Sequence, residues 1–211
     1  MAIVCRWCMG LMIAALITVG PYVYYRHEYT RHRRFRVVDD GQLYRSGSMT
    51  AAGFREMVQQ YGIRTVVNVR DDCPEPVLEE DFFTSETISE RKLCKEMGVR
   101  YVFLPPDLVS RQHADTSRPR AIDEFLAIMD DPANRPVLLH CKAGLHRTGC
   151  LAAVYRMEYN HWPMEQALIE LKNHGFGEFV STKSNHYIDQ YLVHFQPGIR
   201  NRDNQKSEAE N

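Results

Sequence analysis

Residues 136–149 read PVLLHCKAGLHRTG, and this stretch decides both the fold and the chemistry. Its first part, Pro136 to His140, is a short apolar run of the kind that forms a strand buried on both faces of a sheet. The chain then turns at Gly144, where a tight turn needs glycine, and a helix starts near Thr148. A strand, a glycine-containing loop and a helix start together make an anion trap. Loop amides converge on one point, and the helix dipole adds positive potential there. Cys141 stands at the mouth of the loop, where nearby positive charge favours the nucleophilic thiolate. Five residues separate it from Arg147. The turn lets that guanidinium fold back over an anion and take two of its oxygens in a fork.

The arrangement predicts phosphoryl chemistry in two steps. The Cys141 thiolate attacks phosphorus in line, while Arg147 and the loop residues Lys142, Ala143, Gly144, Leu145 and His146 hold the equatorial oxygens. A general acid protonates the leaving oxygen. Water then hydrolyses the cysteinyl-phosphate, with the same group acting as base. Thr148 is placed to donate a hydrogen bond to the departing sulfur, and Gly149 lets the helix pack closely. Lys142 and His146 supply further positive charge for phosphate affinity, and His140 is expected to orient the loop by hydrogen bonds. No metal or cofactor is expected.

Working outward, strands alternate with helices, which implies an α/β fold with a largely parallel sheet. Phe35 to Tyr44 reads as extended, ending at Arg45-Ser46-Gly47. Thr50 caps a helix whose Phe54, Met57, Val58 and Tyr61 share one face and which stops at Gly62. RTVVNVR (64–70) is a β-branched strand. Residues 77–97 are charged and read as helical, closed by Gly98. VRYVFL (99–104) is a strand halted by Pro105 and Pro106, and 107–118 a polar loop. Further helices are expected at Ile122–Met129, from Pro163 to Gly175, and over about 185–195.

Of the 211 residues, 44% are hydrophobic and 25% charged, a globular balance, and a net charge of −1 gives no reason to expect a nucleic-acid partner. The six cysteines, Cys5, Cys8, Cys73, Cys94, Cys141 and Cys150, are irregularly spaced in a chain too long to need a disulfide scaffold. A reducing compartment suits them.

From Trp7 to Tyr25 no residue is charged. As a helix this run is about 28 Å long, near the thickness of a bilayer core. Trp7 lies at one end and Tyr22, Tyr24 and Tyr25 at the other, where interfacial aromatics belong. A cleaved signal peptide is the rival reading, but Pro21 after Gly20 makes a poor cleavage site. A buried core helix is the third. Arg26, Arg31, Arg33, Arg34 and Arg36 follow the run, and the positive-inside rule places that flank in the cytoplasm. The expected organisation is therefore a membrane anchor over 1–25, a basic linker over 26–34, a phosphatase domain over 35–197 and a disordered tail over 198–211.

HCKAGLHRTG matches the H-C-x-x-G-x-x-R-[ST]-G signature of the protein tyrosine phosphatases. The short domain resembles the dual-specificity branch, and HCK-G-HRTGCL in particular is similar to the atypical dual-specificity phosphatases of plants and fungi. LYRSG and GIRTVVNVR resemble the start of the same domain. The resemblance covers about residues 35–180. It implies a central, mainly parallel sheet flanked by helices, with the loop at the sheet's C-terminal edge, here preceded by one N-terminal transmembrane helix. It also implies phosphoprotein or inositol phosphate substrates and a general-acid aspartate on the loop before the nucleophile. Asp107, directly after Pro105-Pro106, is the preferred candidate, Asp115 the alternative, and some atypical members of the family use no aspartate acid at all. The resembling inositide phosphatases often carry lysine where Leu145 stands, a departure that weakens a lipid or inositol assignment. Two other classes fit a loop cysteine: an inactive module that binds phosphorylated partners, and a rhodanese-like sulfurtransferase. Cys73, just past RTVVNVR, is the candidate trap for an oxidised Cys141.

Overall fold

A computed structural model describes residues 2–70, 73–104, 119–177 and 191–200. Its elements in order are α1 (Ala2–His32), β1 (Arg36–Asp39), β2 (Leu43–Ser46), α2 (Ala51–Tyr61), β3 (Thr65–Asn68), β4 (Val77–Glu79), β5 (Thr87–Ser89), α3 (Glu90–Glu96), β6 (Arg100–Phe103), α4 (Arg120–Asp130), β7 (Val137–His140), α5 (Arg147–Tyr159) and α6 (Met164–Asn173). Five strands form one sheet in the order β1-β2-β7-β3-β6. β2, β7, β3 and β6 run parallel, and β1 lies antiparallel on the edge. This is the mainly parallel sheet flanked by helices that the sequence predicts.

The apolar run at 137–140 is explained by its place. β7 is central, and every residue of it is buried. Val137 and Leu139 face a core shared with α4 and α5. Leu138 faces the opposite core, built with α2 and α3. A strand covered on both faces has no polar side to show. Register fixes the site. Ser46 pairs with His140, His140 with Asn68, and Asn68 with Phe103, so four parallel strands end in one row. Ligands of open α/β sheets bind at such C-terminal ends.

Local signals hold where they were strong. The Thr50 side chain accepts from the Gly53 amide to cap α2, and Gly62 closes it with φ of 60°. Two expectations need correction. Residues 77–89 form the β4–β5 hairpin, and only Glu90–Glu96 is helical. The segment is rich in glutamate, which suggests helix, but Val77, Thr87 and Ile88 are β-branched and Leu78 is buried against Leu93 and Ile88 by alternation. The extended stretch at 35–44 also turns back on itself, so that β1 and β2 form an antiparallel hairpin.

The basic segment 26–34 continues α1 as far as His32 and docks on the domain instead of trailing as a linker. Arg31 pairs with Glu56 at 3.0 Å and His32 with the same carboxylate at 3.2 Å. The start of the expected disordered tail is held too: the Gly198 amide donates to Glu158 at 2.9 Å, and Arg200 pairs with Asp130 at 3.1 Å. Of the last expected helix, 191–193 are helical, and the remainder of 185–190 lies outside the described residues.

Candidate active site

The loop between β7 and α5 is built by its carbonyls. The His140 carbonyl accepts from the Val69 amide at 2.9 Å and the Lys142 carbonyl from the Ser48 amide at 3.2 Å. The Ala143 carbonyl accepts from Arg34 at 3.0 Å, and the Gly144 carbonyl from Arg45 at 2.8 Å. The carbonyls of Leu145 and His146 start α5 by accepting from Gly149 and Cys150 at 3.1 and 2.7 Å. With successive carbonyls tied back into the protein, the amides of the loop are free to face the other way, as an anion cradle requires. One amide is already aimed: Gly144 N–H donates to the Cys141 sulfur at 3.1 Å. Gly144 is required by its φ of 72° and by space, because a Cβ there would lie 2.6 Å from the Gly47 nitrogen and the Ser46 carbonyl carbon.

Each loop residue has a distinct environment. Cys141 is buried, with 4% of its surface exposed at the floor of the loop. Arg147 is half-buried and is the first residue of α5. Thr148 is fully buried, and its hydroxyl has no hydrogen-bond partner among the described residues. Lys142 is exposed, Ala143 half-buried, and the Leu145 side chain is buried inward, so Leu145 offers the cradle only its amide. His146 packs edge-on against Phe176 with centroids 5.6 Å apart. Burial, and then the neighbouring Arg147, lower its basicity below that of an ordinary histidine, so its cationic form is disfavoured.

Sequence reasoning missed three supports. Arg45 is 1% exposed, and burial lowers its pKa to about 10, which leaves it charged at neutrality. Its guanidinium also lies 3.3 Å from the His174 imidazole. Arg34 enters from the end of α1. Glu90, the first residue of α3, is buried and pairs with the His140 imidazole at 2.9 Å. That contact places a buried carboxylate beside the ring one residue before Cys141. The LYRSG phrase is the only sequence signal for any of these. Asp107 and Asp115, the candidate acids, lie outside the described residues. Cys73 is half-buried beyond β3, and its carbonyl accepts from Asn68 at 3.0 Å.

A family model described as a DSP-PTPase phosphatase fused to NAD+ kinase matches residues 23–188. Inositol diphosphatase DSP2 of Arabidopsis thaliana is 31% identical over 186 residues, covering 76% of this chain and 68% of its own length. Dual specificity protein phosphatase TpbA of Pseudomonas aeruginosa is 30% identical over 138 residues, covering 64% of this chain and 52% of its own. The chain thus spans between about half and two thirds of these relatives. Among solved structures, the Siw14 catalytic core matches in fold with a TM-score of 0.58 at 20% identity, over 85% of this chain and 92% of that one. The crystal structure of P. aeruginosa TpbA matches with a TM-score of 0.52 at 25% identity, over 74% and 81%. With a family match over most of its length, and the fold to go with it, the chain belongs to the DSP-PTPase family and is a cysteine-dependent dual-specificity phosphatase.

Proposed function

We propose that the chain hydrolyses phosphate monoesters through a cysteinyl-phosphate on Cys141, with Arg147 gripping the phosphate, Thr148 easing the sulfur's departure and Asp107 as general acid. The observation that carries this reading is the Gly144 amide aimed at the Cys141 sulfur, in a loop whose carbonyls from Lys142 to His146 are tied back into the protein. Such a hydrogen bond strengthens when the sulfur carries charge. Phosphotyrosine, phosphoserine, phosphothreonine and inositol phosphates are the candidate substrates, in line with relatives named for protein phosphatase and inositol diphosphatase activities. The inward Leu145 and the weakly basic His146 leave Lys142 and Arg147 as the loop's cations, which favours a single phosphate group over a dense polyanion. Turnover of p-nitrophenyl phosphate by the purified chain separates an active phosphatase from a binding module or a sulfurtransferase. A panel of phosphopeptides and inositol phosphates then assigns the substrate.

Arg45 supplies a second test. Arg45→Met takes the charged donor from the Gly144 carbonyl, a bond worth about 1.5–3 kcal/mol. The expected result is a fall of about 10–100-fold in kcat/KM, with inhibition by inorganic phosphate weakened in parallel. A variant that melts lower but keeps wild-type phosphate affinity would show that Arg45 only fills space.

We further propose that α1 anchors the enzyme in a membrane with the domain on the cytoplasmic side. Arg6–His32 is long and apolar enough to cross a bilayer, and none of its most apolar window is covered by the protein. Trp7, Leu11, Leu16 and Ile17 face outward, which a core helix does not allow. The full chain should pellet with membranes and resist carbonate extraction, and protease added outside intact cells should leave the domain uncut. Release by carbonate, or cleavage of the domain from outside, would contradict the anchor or its orientation respectively.

A further inference from the structure

The β4–β5 hairpin carries two adjacent phenylalanines at its tip, Phe82 and Phe83, in a loop the catalytic chemistry does not use. Phe83 is 72% exposed. The tip is not free of the rest of the molecule, because it lies against α1. Phe83 stacks on His27 with centroids 5.8 Å apart, and Phe82 meets the same ring edge-on at 6.0 Å. Phe83 also lines a shallow groove with Val19, Gly20, Val23 and Tyr24. Those residues belong to the uncharged run that ends at Tyr25. If that run spans a bilayer, Val19 to Tyr25 are its final turns, about 9 Å along the axis. A ring held beside those turns is level with the boundary between acyl chains and headgroups.

We propose that the hairpin tip is a second membrane contact, with Phe83 inserted into the lipid interface beside α1. This rests on the reading of α1 as a membrane span. The charges of the hairpin agree with it. Asp81 is turned inward to His27 at 3.3 Å and Arg31 at 3.9 Å, and Glu80 is paired with Arg55. The two acidic groups just before the phenylalanines are thus drawn toward basic side chains, while Glu79 and Glu86 are exposed further down the hairpin. Tyr22, Tyr24 and Tyr25, each more than 60% exposed, surround the same level of the helix, and aromatic rings favour that layer. Arg26, exposed one residue further on, is placed for anionic headgroups.

The joint below is stiff, so two contacts would set the orientation of the whole domain. α1 runs unbroken to His32, the Arg33 carbonyl accepts from the Gly47 amide at 2.8 Å, and Arg34 takes φ of 55°, a left-handed value that arginine rarely adopts. Arg34 then donates to the Ala143 carbonyl of the catalytic loop. Between Tyr25 and the end of α1 at His32 there is only about 10 Å of helix rise. A helix alone leaves the domain able to rotate about the membrane normal and to tilt, whereas a wedge at Phe83 removes the tilt and holds the loop at a constant height above the headgroups.

The test is tryptophan depth in the full chain, reconstituted into phosphatidylcholine vesicles with a minority of phosphatidylserine. Phe83→Trp and Leu16→Trp are each made in a Trp7→Phe, Trp162→Phe background, and turnover of p-nitrophenyl phosphate in detergent confirms that each folds. Phe82→Trp replaces Phe83→Trp if the latter fails that check. The expected result is that the hairpin tryptophan is quenched by a nitroxide near the headgroup and shielded from iodide, while Leu16→Trp is quenched by a nitroxide deep in the acyl chain. If Leu16→Trp meets the deep nitroxide but the hairpin tryptophan stays open to iodide and blind to both nitroxides, the wedge is wrong and the anchor stands. If neither meets a nitroxide, the anchor reading itself fails, and the wedge with it.

Discussion

Cys141→Ser is expected to lower kcat by at least about 10³, or ~4 kcal/mol of barrier, while phosphate still binds. The carbonyl ties that shape the loop do not involve the sulfur, so Ser48, Arg34 and Arg45 hold the cradle open in the variant. Inorganic phosphate should therefore inhibit binding of a labelled phosphate ester to the variant much as it does to the wild type. Arg147→Lys is expected to cost about 10²–10³ in kcat, because a point charge cannot reproduce a planar fork on two oxygens. The two measurements are pre-steady-state turnover and equilibrium binding on the same preparations. Retention of more than about a tenth of wild-type kcat in Cys141→Ser, ~1.4 kcal/mol or less of barrier, would exclude this cysteine as the nucleophile.

Asp107→Asn is expected to lower kcat by about 10²–10⁴ on a phosphate ester with a poor leaving group, and far less on p-nitrophenyl phosphate, whose leaving group departs without a proton. The topology supplies a reason to expect the acid there. Phe103 ends β6 in the same row as His140, two strands away. Two strand spacings are ~10 Å, which a few residues of extended chain suffice to cross. An equal loss on both substrates would refute the acid role, and a selective loss in Asp115→Asn would transfer the role to that residue.

The contrast between what the sequence disclosed and what it concealed has a physical cause. The strand, loop and helix start at 136–149 are local: turn chemistry, burial and catalytic residues are all specified within one segment, so the motif could be read directly. Thr50, Gly62 and Gly98 were legible for the same reason, since caps are set by their immediate neighbours. Arg45 escaped the sequence because nothing local marks a guanidinium for burial. Its partner carbonyl at Gly144 lies 99 positions away, and Arg34 reaches Ala143 across 109. Glu90 is a similar case, an ordinary helix-start glutamate until the fold brings His140 to it. The β4–β5 hairpin was misread because its glutamates favour helix, and only the strand pairing of Leu78 with Ile88 and the burial of Leu78 in the α2–α3 core decide the matter. The surroundings of His146 were hidden as well, because its packing against Phe176 and Arg147 is a tertiary property.

Arg45 and Arg34 also change how the site is understood. The cradle's shape is set by cations behind it as well as by the glycine within it. One of them, Arg34, lies two residues past the end of the N-terminal helix, so the segment that is proposed to leave the membrane is also a wall of the loop. A truncation that begins at residue 35 removes that donor, and such a protein should turn over more slowly than one that keeps 26–34.

The most direct measurement is the covalent intermediate. Wild-type enzyme mixed with an aryl phosphate and quenched within a single turnover should yield one phosphorylated peptide, carrying the phosphate on Cys141. Asp107→Asn, which under the proposed acid–base role slows hydrolysis of the intermediate as well as its formation, should retain the phosphate longer on the same residue. Phosphate found on another side chain, or turnover that persists with no phosphorylated peptide in either protein, would contradict the mechanism at its centre.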